Sequence, residues 1–179
     1  YSVDADGIAT LEWDYPGKSQ NILNTASLDA YFTACAKAVA DPAVKGILVC
    51  SAKKDFIAGG DLEMLLKADN AKEFHAGIVE SHHAMRALEK GGKPVAVALG
   101  GSALGGGLEI ALGCHYRVAA DNSKARFGFP EVTLGLLPGA GGTQRTPRLV
   151  GAMACAPMLT EGKRLQVSEA AKMGLINAV

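Results

Sequence analysis

The sequence predicts an α/β fold in which most strands run parallel. Three observations carry this. Short β-branched apolar runs, at 44–51, 94–99 and 116–120, read as buried strands. Segments with apolar residues at helical spacing lie between them. Glycines cluster where a strand hands over to a helix, at Gly59-Gly60, at Gly100-Gly101, at Gly105-Gly106-Gly107 and from Gly139 to Gly142. Strands alternating with helices imply parallel pairing through helical crossovers.

Each element has its own local reason. Gly7 to Trp13 alternates apolar and polar residues and reads as a first strand. Residues 21–24 form a loop, with Asn24 or Thr25 as a helix cap. A helix over 27–39 places Leu28, Tyr31, Phe32, Cys35 and Val39 at helical spacing, and Asp41-Pro42 stops it. After the strand 44–51, a loop over 53–60 opens a short helix at 61–65, with Asp61 at its start. A long helix over 71–90 ends at Gly91-Gly92 and Pro94. A strand at 94–99, a glycine loop at 100–107, an apolar helix at 108–113 and strands at 116–120 and 125–129 follow. Helices are expected over 139–150 and 151–159, Ser168 as the cap of a last short helix, and a strand beginning at 175. Domains seldom stop as a strand begins, so residues 1–179 read as one domain truncated at its C-terminus.

Composition narrows the function classes. Lysine plus arginine number 18 and aspartate plus glutamate 18, so the formal net charge is zero. Nucleic-acid and anionic-membrane surfaces need surplus positive charge, so neither partner is expected. Apolar residues make up 49% and charged residues 20%, which is globular composition. No apolar run approaches the roughly 20 residues of a membrane helix, and the start shows no secretion signal. A bacterial cytoplasm or an organellar matrix is the expected location. Cys35, Cys50, Cys114 and Cys155 lack ligand spacing and read as small buried hydrophobes, so no metal is expected.

Two loops share a chemical design. Ile57-Ala58-Gly59-Gly60-Asp61 follows one strand and Leu104-Gly105-Gly106-Gly107-Leu108-Glu109 another. Backbone N–H groups at such helix starts lack internal partners, and two that converge form an oxyanion hole. Tight turns packing helices on strands would explain the same glycines. Glu109 lies in an apolar helical run, and Glu131 follows Phe127-Gly128-Phe129-Pro130. Carboxyls in apolar surroundings gain raised pKa values suited to proton transfer, although a solvated helix face would hold either one alone. Ser102 misses a nucleophile elbow, because Leu104 stands where glycine is required. No dinucleotide or phosphate-loop signature is present. Lys53 and Lys54 flank the first loop and could meet a phosphate, or be ordinary surface lysines.

Three of these segments, in order, carry a resemblance. They are Lys54 to Asp61 (KDFIAGGD), Ala103 to Glu109 (ALGGGLE) and Phe129 to Arg145 (FPEVTLGLLPGAGGTQR). The chain resembles the crotonase superfamily, the enoyl-CoA hydratase/isomerase family, over nearly its whole length. Its wording is most similar to the hydratase part of multifunctional β-oxidation enzymes that carry a 3-hydroxyacyl-CoA dehydrogenase domain downstream.

The resemblance implies a spiral of repeated ββα units and an acyl-CoA thioester substrate, with coenzyme A entering as part of that substrate and no separate cofactor. It maps the two oxyanion donors to the N–H groups of Ala58 and Gly106, and the paired acids around one water to Glu109 and Glu131. Substrate contacts map to Lys54, Phe56, Ala58, Gly60, Asp61, Leu62, Gly105, Gly106, Pro130 and Gly139. Two glutamates favour hydration of a 2-enoyl-CoA, with double-bond isomerisation as a side activity. Thioester hydrolysis, decarboxylation and non-catalytic acyl-CoA binding are the alternatives. The family's domain continues with helices that close the acyl pocket and make subunit contacts, so residues 1–179 alone are expected to bind coenzyme A weakly and turn over poorly. Self-association and a covalent dehydrogenase domain downstream are the further partners implied.

Two departures stand out. Glu131 follows Glu109 by 22 positions, slightly more than the family step, with the extra length placed in the polar turn 120–124. Phe129 replaces a residue that is polar in many hydratases. A drier Glu131 with a raised pKa is the expected consequence.

Overall fold

The computed structural model describes residues 1–67 and 69–179. The strands are β1 (Ser2–Val3), β2 (Ile8–Trp13), β3 (Gly46–Ser51), β4 (Val95–Leu99), β5 (Ala103–Leu104), β6 (Tyr116–Ala119), β7 (Phe127–Gly128) and β8 (Arg164–Leu165). The helices are α1 (Thr25–Ala40), α2 (Leu62–Leu66), α3 (Ala71–Lys90), α4 (Gly106–Leu112), α5 (Gly142–Val150), α6 (Ala152–Thr160) and α7 (Val167–Met173), with a 3-10 turn at Pro130–Leu134.

A five-stranded sheet has the order β1-β2-β3-β4-β6. Its β2–β3, β3–β4 and β4–β6 pairs are parallel, and β1 is antiparallel to β2. A smaller sheet has the order β5-β7-β8. Single parallel bridges, Leu23 with Gly60 and Ile57 with Ala103, extend this second layer. Each turn of the chain therefore gives one long strand to the first sheet, then a short extended segment to the second, then a helix. This is the expected ββα spiral, and it collects the helix starts on one side.

Local chemistry explains the elements. Asn24 caps α1 through a capping box with Ser27, and Tyr31, Cys35 and Ala38 of that helix are buried. Asn70 caps α3 by accepting from the N–H groups of Lys72 and Glu73. Helix α4 is buried from Gly107 to Leu112, as its nearly all-apolar sequence requires. It packs against the segment before α2 with no side chain between them. A Cβ on Gly107 would lie 2.6 Å from the Ile57 carbonyl oxygen and 2.7 Å from the Ile57 Cβ. Gly107→Ala is therefore expected to lower stability by about 1–3 kcal/mol, the usual cost of overpacking, with a lower Tm in a thermal melt.

Several boundaries differ from the sequence expectation. β1, β5 and β8 are two-residue strands with no periodicity to reveal them. The helix expected from 139 begins at Gly142, because residues up to 141 turn sharply and Gly141 has a φ of 106°. Gln166, in a capping box with Glu169, caps α7 in place of Ser168. The final segment makes only a single bridge, Val118 with Ala178. Among the described residues no helix is long and apolar enough to cross a membrane.

Candidate active site

The site grows from the two glycine loops. The first, at 55–61, is braced on one side by the second: Phe56 N–H donates to the Ser102 carbonyl at 2.9 Å, and Leu104 N–H donates to the Ile57 carbonyl at 3.1 Å. Segment 21–23 braces its other side. Ala58 N–H donates to the Asn21 carbonyl at 3.0 Å, Leu23 N–H to Gly59 O at 2.9 Å and Asp61 N–H to Leu23 O at 2.9 Å.

These bonds correct one expectation. The Ala58 N–H has an internal acceptor and is not a free oxyanion donor. Residues 58 and 61 are three apart, yet both N–H groups face segment 21–23. Regular strand alternation forbids this, and the kink at Gly59, with φ of 115°, permits it. The Gly60 N–H is left facing away from that segment. Among the described residues neither the Gly60 nor the Gly106 N–H donates to any atom. Both glycines line one cavity.

That cavity has a volume of about 790 Å³. Glu109 and Glu131 line it together with Ala58, Leu62, Gly105, Pro130 and Gly139. Three expected contacts fall differently. Phe56 is fully buried in the core and Lys54 is exposed outside the cavity. Asp61 turns to cap α2, accepting from the N–H groups of Glu63 and Met64. Ala58 remains a wall residue only.

The two carboxyls flank the Gly105-Gly106 backbone. A Cβ on Gly105 would stand 2.7 Å from Glu131 Oε1, and one on Gly106 3.9 Å from Glu109 Oε2. Gly105 also has a φ of 53°. Close approach and backbone shape both require glycine there. Glu109 is 3% exposed, and its Oε1 accepts the Gly142 N–H at 2.7 Å. Burial pushes its carboxyl up to about 7. The Glu131 charge adds to the rise, while the Gly142 and Ala140 N–H groups and the Arg145 charge oppose it. Burial also raises Glu131, whose Oε2 is enclosed without a hydrogen-bond partner. Phe129 is fully buried, with its ring against Gly142.

Several contributors escaped the sequence reading. Gly142 supplies the donor to Glu109. Arg145 is tied to Glu89 of α3 through an ion pair of 2.5 Å and donates to the Ala140 carbonyl at 3.0 Å. His82 of α3 contacts the Gly139 carbonyl at 2.8 Å. Loop 139–142 is thus held from two sides by α3, a long-range arrangement that no local pattern announces. Among the described residues Ser102 has no nucleophile's partners, in keeping with the missing elbow. Ser102 Oγ accepts the Arg126 N–H, and His115 is engaged by Val95 N–H and the Glu89 carbonyl. Among the described residues no group of three His, Cys, Asp or Glu side chains is placed to hold a metal ion.

Comparison with known proteins agrees with this geometry. Residues 4–179 match the family model described as Enoyl-CoA hydratase/isomerase. The fatty acid oxidation complex subunit alpha of Shewanella loihica is 43% identical over 175 residues, covering 97% of this chain and 25% of that protein. The chain thus spans about a quarter of the length of such relatives. An enoyl-CoA hydratase structure from Geobacillus kaustophilus superposes with a TM-score of 0.91 at 29% identity, covering 98% of this chain and 66% of the other. One from Bacillus anthracis gives 0.88 at 30% identity, with 99% and 69% covered. The chain belongs to the enoyl-CoA hydratase/isomerase family.

Proposed function

We propose that this domain adds water to a trans-2-enoyl-CoA, forming a 3-hydroxyacyl-CoA. The observation that carries the reading is the meeting of two unpartnered amides, Gly60 and Gly106, with two carboxyls, Glu109 and Glu131, around one cavity. The amides receive the thioester carbonyl and stabilise the negative charge that develops on its oxygen. Glu109, as carboxylate, takes a proton from water while the water oxygen bonds to C3. The C2=C3 electron pair moves toward the carbonyl. Glu131 gives its proton to C2, and proton exchange with solvent resets the pair.

The specific partners sort the two acids into these roles. Gly142 N–H donates to Glu109, which favours its charged form. Nothing donates to Glu131 Oε2, and burial outweighs the one backbone donor acting on that carboxyl, its own N–H, so the protonated form is favoured. Glu109 is buried more deeply, and burial by itself would favour a proton there. Substrate entry offsets this by drying the half-buried Glu131 further, while Glu109 has little water left to lose. The same Glu131 proton transfer supports Δ3–Δ2 double-bond isomerisation as a side activity.

Coenzyme A enters as part of the substrate, with no separate cofactor. We place the reaction in fatty-acid β-oxidation, in a bacterial cytoplasm or an organellar matrix, within a longer self-associating protein that carries a 3-hydroxyacyl-CoA dehydrogenase domain downstream. The relatives' name and their fourfold greater length support that setting. The test is loss of the enoyl-thioester ultraviolet band of crotonyl-CoA and longer 2-enoyl-CoAs, with product identified by mass. Water-adducted product is expected. Saturable binding without product would leave an acyl-CoA binder in place of an enzyme.

A further inference from the structure

We infer that Asn21 is a positioning residue for the oxyanion hole, acting through the backbone of the donor loop. The inference rests on the hydratase reading above. Asn21 is 1% exposed, far from the usual place of a loop asparagine. Its Nδ2 donates to the Phe56 carbonyl at 2.9 Å and to Ser51 Oγ at 2.9 Å, and the Trp13 carbonyl at 3.2 Å shares one of its two hydrogens. Its Oδ1 accepts the Tyr15 N–H at 2.8 Å, and its own carbonyl accepts the Ala58 N–H. One side chain thereby ties the ends of β2 and β3 to the loop that carries Gly60.

The same short segment reaches the second donor. Leu23, two residues on, bonds Gly59 O and Asp61 N–H on either side of Gly60. Its Cδ1 lies 2.6 Å from where a Cβ on Gly106 would stand. Segment 21–23 therefore fixes one donor by hydrogen bonds and backs the other by direct packing, with Asn21 as its anchor. Donor placement matters at the scale of about an ångström, where rates change by about a hundredfold.

The test compares wild type, Asn21→Ala and Ser51→Ala in the full-length protein. Ser51→Ala removes one Nδ2 partner and leaves the Phe56 carbonyl bond, so it remains measurable if Asn21→Ala fails to fold. Turnover of a 2-enoyl-CoA is followed together with the absorption of bound para-dimethylaminocinnamoyl-CoA. That band moves to the red as the thioester carbonyl is polarised. Asn21→Ala is expected to lower kcat at least about tenfold with a KM changed less than about threefold, and to reduce the red shift. Ser51→Ala is expected to move both readouts the same way by less. A purely structural role would lower Tm while folded, titrated enzyme kept its kcat and band position, and that result overturns the inference. A wild type with neither red shift nor product refutes the hydratase reading itself.

Discussion

Glu131→Gln is expected to reduce turnover of a 2-enoyl-CoA by about 10²–10⁴-fold, the range for loss of a positioned acid. A glutamine fits the same space against Gly105 but carries no transferable proton. Its amide meets an enclosure in which the native Oε2 already has no partner, so the fold is expected to persist. The loss should fall on kcat, because the acyl chain and the two amides still bind the thioester. Isomerisation of a 3-enoyl-CoA should disappear with it. Steady-state kinetics on both substrates, beside a thermal melt, check the point; near-native kcat would remove Glu131 from the chemistry.

Glu109→Gln is expected to do two things of opposite sign. Turnover should fall by a comparable factor, because an amide cannot accept the proton of water. Stability should rise at alkaline pH. The native carboxyl titrates near 7 against an ordinary 4.5, so between these values the folded state holds a proton that the unfolded chain has lost. Stability thus declines as pH climbs from about 4.5 to 7 and levels off above. The accumulated loss is roughly 3 kcal/mol at 1.36 kcal/mol per pH step. Glutamine never ionises, and its Oε1 still accepts the Gly142 N–H. Denaturation at pH 8 should therefore favour Glu109→Gln, and the two proteins should converge below pH 4.5. In the native enzyme kcat/KM should follow a bell in pH, because turnover needs one carboxyl ionised and the other protonated, with the two limbs belonging to the coupled pair.

Much of this was legible in the residues. Buried strands showed as β-branched runs, helix α3 as a periodic segment closed by glycine, and α4 as an apolar stretch with one acid inside it. The ββα spiral and the pair of glutamates came with the family motifs. The donor in the first loop was misplaced by two residues. Spacing identifies a glycine loop but not which amide is free, and that depends on segment 21–23, over thirty positions upstream. The sequence places Asn21 in a loop, because polarity alone does not distinguish a solvated asparagine from one that joins two strand ends to a neighbouring loop. The hold of α3 on loop 139–142 was invisible for a similar reason. Glu89 and Arg145 lie 56 positions apart.

The cavity draws its parts from two sources. The amides and acids come from tightly packed backbone around α4, where Gly107 rests on Ile57 and little can shift. Much of the opposite wall comes from α2 and the first half of α3, through Leu62, Met64, Leu65, Phe74 and Ile78. Of the 20 residues in α3 only Met85 and Leu88, both in its second half, are fully buried. Under the proposed function, the choice of acyl tail can therefore be retailored by rewriting one peripheral stretch, separately from the close-packed backbone that would carry the reaction.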